Sequence, residues 1–214
     1  MSKLVLIFLF ILNFLLTGVI FGQTELNLGP RLKKSPDQQK IVKIIEDGLK
    51  SINRSATDLE KQSSSATSNE ELEFWATMSQ RLKKLSSVAF SKYLVFELGC
   101  PSNVRGCVTW TRVDNSIRIR LGFGFTSHFP KWTNFEWLEL IAHELNHVAD
   151  IIESFESNQK LFLLKTEANS FLVSGIIARD ADETLVHSGV TLCKKGLGKK
   201  PFRQQRDFLE AQVA

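Results

Sequence analysis

An H-E-x-x-H motif, His143-Glu144-Leu145-Asn146-His147, lies inside a stretch whose apolar residues recur at helical spacing from about Thr133 onward. Thr133-Asn134-Phe135-Glu136 has the form of a capping box, and Trp137, Leu140, Ile141, Leu145, Val148 and Ile152 supply an apolar stripe. The motif therefore sits on a helix packed against a core. Four residues of α-helix turn through about 400°, so His143 and His147 emerge on one side, about 40° apart and one turn along the axis. Two imidazoles so placed can share one zinc ion. Glu144 can lie beside the metal without ligating it, close enough to take a proton from a water there.

Catalytic zinc sites have three protein ligands, so a third is needed. Glu167 lies twenty residues beyond His147, in a second helical pattern running from about Asn158 to Ala178 that a short turn folds back. H-E-x-x-H, a gap of nineteen residues and Glu-Ala on a second helix resemble the gluzincin metallopeptidases, with a spacing similar to that of the thermolysin group. The resemblance covers roughly Thr133 to Ala178. It implies an α+β, zincin-like domain with an active-site helix, a ligand helix and a small antiparallel sheet, binding Zn2+ through His143, His147 and Glu167, with Glu144 as catalytic base. The competing ligand is Glu153, six residues after His147, where metzincins place theirs. Metzincins break the helix at a glycine; here Asp150 holds that position and Ile151-Ile152 continue the stripe, so Glu153 points away as a solvated charge.

This chain departs from the thermolysin group at two supporting positions. Where the group has an aspartate one turn after the ligand glutamate, this chain has Phe171, leaving Asp150, Asn169 or Ser170 to support a ligand histidine. The group's oxyanion-stabilising histidine has its best counterpart in His187, within Leu185-Val186-His187-Ser188-Gly189, with His128 as the weaker choice. The plainer reading of His187 is a surface or satisfied core residue.

Lys3 precedes an apolar run from Leu4 to Leu16, and Gly22 precedes the polar Gln23-Thr24-Glu25, the pattern of a secretory signal peptide over residues 1–22. Ile20 stands where a small residue aids cleavage, so an uncleaved signal anchor is the alternative. Both place the remainder outside the cytoplasm, secreted or periplasmic after cleavage and membrane-tethered with the anchor uncleaved. Three cysteines suit that setting. Cys100 and Cys107 bracket a turn-rich stretch and are the expected disulfide, leaving Cys193 free.

Residues 23–95 read as a helical hairpin, with one stripe through Ile41, Ile44, Ile45, Leu49, Ile52, Ala56 and Leu59 and another through Leu72, Trp75, Met78, Leu82, Leu85 and Ala89. It either covers the back of the 96–214 metallopeptidase domain or serves as a propeptide. Cys107 to Val113 and Ser116 to Phe123 alternate as half-buried strands around an Asp114-Asn115 turn. In zincins a rim strand aligns extended substrate, and the resemblance assigns this to the strand of Ile117 to Phe125. The net charge is +4, and Lys194, Lys195, Lys199, Lys200, Arg203 and Arg206 concentrate basic residues in the tail. A tail of this kind attracts anionic cell-wall or membrane surfaces or acidic proteins; nucleic acid is not expected in that compartment. The expected function is hydrolysis of protein or peptide substrates. The alternatives are a zinc amidase acting on cell-wall peptides, and a non-catalytic secreted binding module with a degenerate metal site.

Overall fold

The computed structural model describes residues 25–100, 104–124, 133–161, 163–187 and 189–211. The leader at 1–22, and the stretch 125–132 that holds Phe125 and His128, lie outside the described residues. In chain order the elements are a one-turn helix α1 (Pro30–Lys33), long helices α2 (Gln38–Ser64) and α3 (Asn69–Val88), strands β1 (Leu94–Leu98), β2 (Gly106–Val113) and β3 (Ser116–Phe123), helices α4 (Asn134–Glu156) and α5 (Leu163–Asp180), strands β4 (Leu185–His187) and β5 (Val190–Cys193), a 3-10 turn (Leu197–Lys199) and helix α6 (Phe202–Glu210). The fold is mixed α+β.

The expected α2 stripe is buried, with Ile41, Ile45, Leu49, Ile52, Ala56 and Leu59 against Trp75, Leu82 and Leu85 of α3. Ser68 caps α3 by accepting the Glu71 N–H at 3.2 Å, a cap worth about 1 kcal/mol. Leu72, in the first turn of α3, departs from the expected stripe and is 46% exposed. The hairpin shares one apolar core with the motif helix. Gly48 of α2 lets α4 come close, since a Cβ there would stand 3.0 Å from Ile141 Cδ1.

β2 and β3 pair antiparallel around Asp114, whose φ of +52° closes the turn, while β1 pairs parallel with β3. The order is β1-β3-β2, so the sheet is mixed rather than antiparallel: the chain passes from β1 to the far edge before β3 returns to the middle. This also overturns the rim-strand assignment. β3 is hydrogen-bonded on both sides, and an added strand needs unpaired backbone groups. The outer side of β1 is covered at Phe96, which bonds Asn27 and Gly29. Among the described residues β2 is the open edge.

α4 opens on the expected capping box, Thr133 N–H donating to Glu136 Oε2 at 2.8 Å and Glu136 N–H to Thr133 Oγ1 at 3.2 Å. It continues unbroken past Asp150 and Glu153 until Asn158 adopts φ +52° and Gln159 N–H bonds back to Ser154 O. That left-handed residue stops the helix. The ligand helix consequently begins at Leu163, not at Asn158 as the spacing predicts. Contacts of His143 with Ser174, His147 with Ser170 and Asp150 with Asn169 run in opposite sequence directions, so α4 and α5 are antiparallel. The tail folds as α6, with Leu209 buried. Among the described residues no helix is long and apolar enough to cross a membrane.

Candidate metal centre

His143 and His147 project from one side of α4, and their Nε2 atoms approach to 3.2 Å. Glu167, in the second turn of α5, faces both: its Oε2 lies 3.6 Å from His143 Nε2 and its Oε1 3.7 Å from His147 Nε2. One donor atom from each residue fits within a 4.8 Å cluster. Ligands held at about 2.0–2.1 Å on a tetrahedral ion stand about 3.3 Å apart, so this spacing suits a small divalent cation. Glu153 is elsewhere. Its carboxylate pairs with Lys84 at 3.0 Å and Arg81 at 3.4 Å on the side of α4 that meets α3.

Burial, then the neighbouring His147, pushes the His143 pKa down to about 4, and burial also lowers that of His147. Both rings are therefore neutral near pH 7, the state that ligates metals. Glu144 is 7% exposed, and burial, reinforced by Glu167 and Glu139, raises its pKa to about 8. A bound cation acts in the opposite sense on a carboxyl beside it.

Each histidine is held from behind. Ser174 Oγ lies 3.4 Å from His143 Nδ1 and donates to Glu139 Oε1 at 2.9 Å. Ser170 Oγ stands 3.4 Å from the His147 ring nitrogens and accepts from Asn146 Nδ2 at 3.0 Å. Of the three expected supports, Ser170 lies against the His147 ring. Asp150 and Asn169 act one step further out, Asn169 donating to Asp150, which also binds Asn146 and Arg81. Phe171, in place of an acid, packs its ring 5.7 Å from that of His143. Sequence reasoning missed Glu139, Ser174 and Arg81. Glu139 stands four residues before His143, so helical spacing alone places it on the same side.

His187, at the end of β4, reaches the cleft. Its ring stacks on His143 with centroids 5.1 Å apart, and its Nδ1 lies 3.8 Å from Glu139 Oε1. The Glu139 carboxylate raises the His187 pKa. Burial opposes the ionisation of Glu139, but hydrogen bonds from His187 and Ser174 outweigh it and hold its pKa below the usual value. Glu139, His143 and His187 form a second donor cluster that shares His143 with the first.

These groups line an open cleft of about 680 Å³ whose opposite wall is the beginning of β2, from Gly106 to Trp110. Gly106 has no room for a side chain: a Cβ there would meet Glu144 Oε1 at 2.7 Å and Leu140 Cδ1 at 2.8 Å. Cys100 and Cys107 are disulfide-bonded, as the sequence predicts, and fasten the exit of β1 to the entry of β2 beside Gly122. Cys193 is the free, buried thiol. The basic tail is partly neutralised, Arg206 pairing with Glu70, Asp207 and Glu210, and Lys199 with Asp182. Comparison of the chain with protein families, curated proteins and solved structures finds no match.

Proposed function

We propose that this chain is an exported zinc metallopeptidase with a zincin-like catalytic domain, in which His143, His147 and Glu167 hold Zn2+ and Glu144 is the general base. The observation that carries the reading is the meeting of two neutral imidazoles and one carboxylate within 4.8 Å, beside a buried carboxyl, on the wall of an open cleft. Zinc, when bound there, supplies Lewis-acid polarisation of a carbonyl oxygen and lowers the pKa of water. Glu144 takes the proton from the attacking water and passes it to the leaving amine. His187, made more basic by Glu139, donates a hydrogen bond to the oxygen that gains charge. The free edge of β2 lies along the same cleft and offers backbone groups to an extended peptide.

Export is inferred from the apolar leader together with the Cys100–Cys107 disulfide. Protein or peptide substrates are inferred from the cleft. The test is Glu144→Gln in purified protein, with zinc content and hydrolysis of a fluorogenic casein measured side by side. We expect about one zinc per chain in both proteins and at least a hundredfold slower hydrolysis in the variant, a loss in the range of general-base catalysis. Full hydrolysis by a zinc-replete variant would sink the assignment of the base, and absence of zinc from the wild type would sink the metal centre.

A further inference from the structure

A second groove, larger than the cleft beside His143, lies elsewhere on the molecule. It is a concavity of about 1090 Å³ on the outward side of the three-stranded sheet, walled at one end by α1 and the segment before it. Five cationic side chains line it: Arg118 and Arg120 from β3, Lys33 and Lys34 from the end of α1, and Lys92 just before β1. All five are exposed. None has an acidic partner among the described residues, and the residues outside that set contain no aspartate or glutamate.

The lone acid of the groove is Glu97, 4% exposed, and its carboxylate is occupied by the N–H groups of Leu32 and Leu98, each at 2.9 Å. Against the five cations stands this single buried carboxylate, so the groove keeps an excess of positive groups where a ligand would lie. Of the six cations in the tail expected to carry the basic surface, Lys199 and Arg206 are paired with acids. Like charges gathered in a groove repel one another, so an anionic occupant lowers the energy of the whole patch.

The shape selects among anions. Arg118 and Arg120 are two residues apart on a strand, so their side chains leave the same side of the sheet about 6.6–6.8 Å apart. Alternate side chains of an extended polypeptide repeat at the same distance, and a guanidinium pairs with a carboxylate through two parallel hydrogen bonds. We propose that this groove binds an extended, glutamate- or aspartate-rich polypeptide segment, with Arg118 and Arg120 as its main contacts. On the metallopeptidase reading, on which this last step rests, that segment belongs to the substrate, and the groove selects acidic proteins at a distance from the cleft.

Binding of a fluorescein-labelled decaglutamate peptide to the full-length protein, followed by anisotropy at 50 mM and 300 mM salt, tests the groove without any catalytic step. Wild type is expected to bind, with affinity falling at least fivefold over that salt range. Arg118→Glu with Arg120→Glu is expected to weaken binding at least tenfold, and the milder Arg118→Gln with Arg120→Gln at least threefold. Lys194→Glu with Lys195→Glu in the tail is expected to change it less than twofold. No binding by wild type, equal loss in the tail variant, or tighter binding to polyphosphate or to phosphatidylglycerol vesicles than to decaglutamate would overturn the proposal. Glu144→Gln is expected to bind the peptide as wild type does. Peptide binding by a protein that hydrolyses nothing would retain the groove and sink the metallopeptidase reading, whereas casein hydrolysis without decaglutamate binding would sink the groove alone.

Discussion

Arg81→Ala removes the side chain through which the N-terminal hairpin grips the motif helix. In α3, Arg81 donates from Nε to Asn146 Oδ1 at 2.7 Å and pairs through its other nitrogens with Asp150 and Glu153. Asn146 is 0% exposed, so its Oδ1 would be left buried without a donor, at a cost of about 1–3 kcal/mol. The Asp150 side chain is 11% exposed and retains Asn146 and Asn169 as donors at 3.3 and 3.4 Å. Its loss therefore falls short of the 3–5 kcal/mol or so of a stranded buried charge. Glu153 is 55% exposed and adds little. We expect about 3 kcal/mol of destabilisation of the metal-free protein in urea unfolding. Asn146 also bonds Ser170 behind His147, so zinc affinity in chelator competition should fall about tenfold. A change below about 0.5 kcal/mol with unaltered zinc affinity would refute the reasoning, because Asn146 would then be satisfied as well without Arg81 as with it.

Glu167→Ala is expected to lose zinc by metal analysis after dialysis, while Glu153→Ala keeps it; the reverse pattern would refute the ligand set. Gly106→Ala places a methyl where Glu144 and Leu140 stand, so hydrolysis should fall at least tenfold with zinc retained, and wild-type rates would show that the strand does not confine the base. Burial raises the Cys193 pKa from 9.0 to about 11, so the unfolded chain loses its proton first as pH rises. Stability attributable to this thiol is therefore full below pH 9 and declines between pH 9 and 11, by about 2–3 kcal/mol. Comparing urea unfolding of wild type and Cys193→Ala at pH 8 and pH 10.5 checks this, and parallel pH dependences would refute it.

What was legible in the sequence was local. The motif helix, its capping box, the two hairpin stripes and the Asp114 turn each follow from a repeat or signature within a few residues. The ligand pair with Glu167 needed only the inference that a second helix doubles back. The sheet order was not legible, because pairing β1 with β3 joins segments more than twenty residues apart, and Leu94–Leu98 carries no alternation that announces a partner. The start of α5 was misplaced because Asn158 takes a left-handed conformation that a periodic pattern does not register. The basic groove went unread for a similar reason. Its cations come from three separate segments, whereas those of the tail are neighbours in sequence.

The polar residues between α4 and α5 follow a rule that was present in the sequence but not used. Glu139, His143, His147 and Asp150 recur at intervals of four, four and three, so they form one polar stripe down the side of α4 that meets α5. Glu167, Ser170 and Ser174 recur at three and four and form the answering stripe on α5. Antiparallel packing brings Ser174 to Glu139 and His143, Ser170 to His147, and Glu167 across both imidazoles. Apolar residues would join two such helices with less desolvation, since buried charges seldom stabilise more than a well-packed hydrophobic contact. A stripe of carboxylates, imidazoles and hydroxyls in that position costs stability, and the return for that cost is the set of donors it gathers. Two polar stripes at helical period that meet across a helix pair, more than the five-residue motif alone, mark this pair as a candidate site.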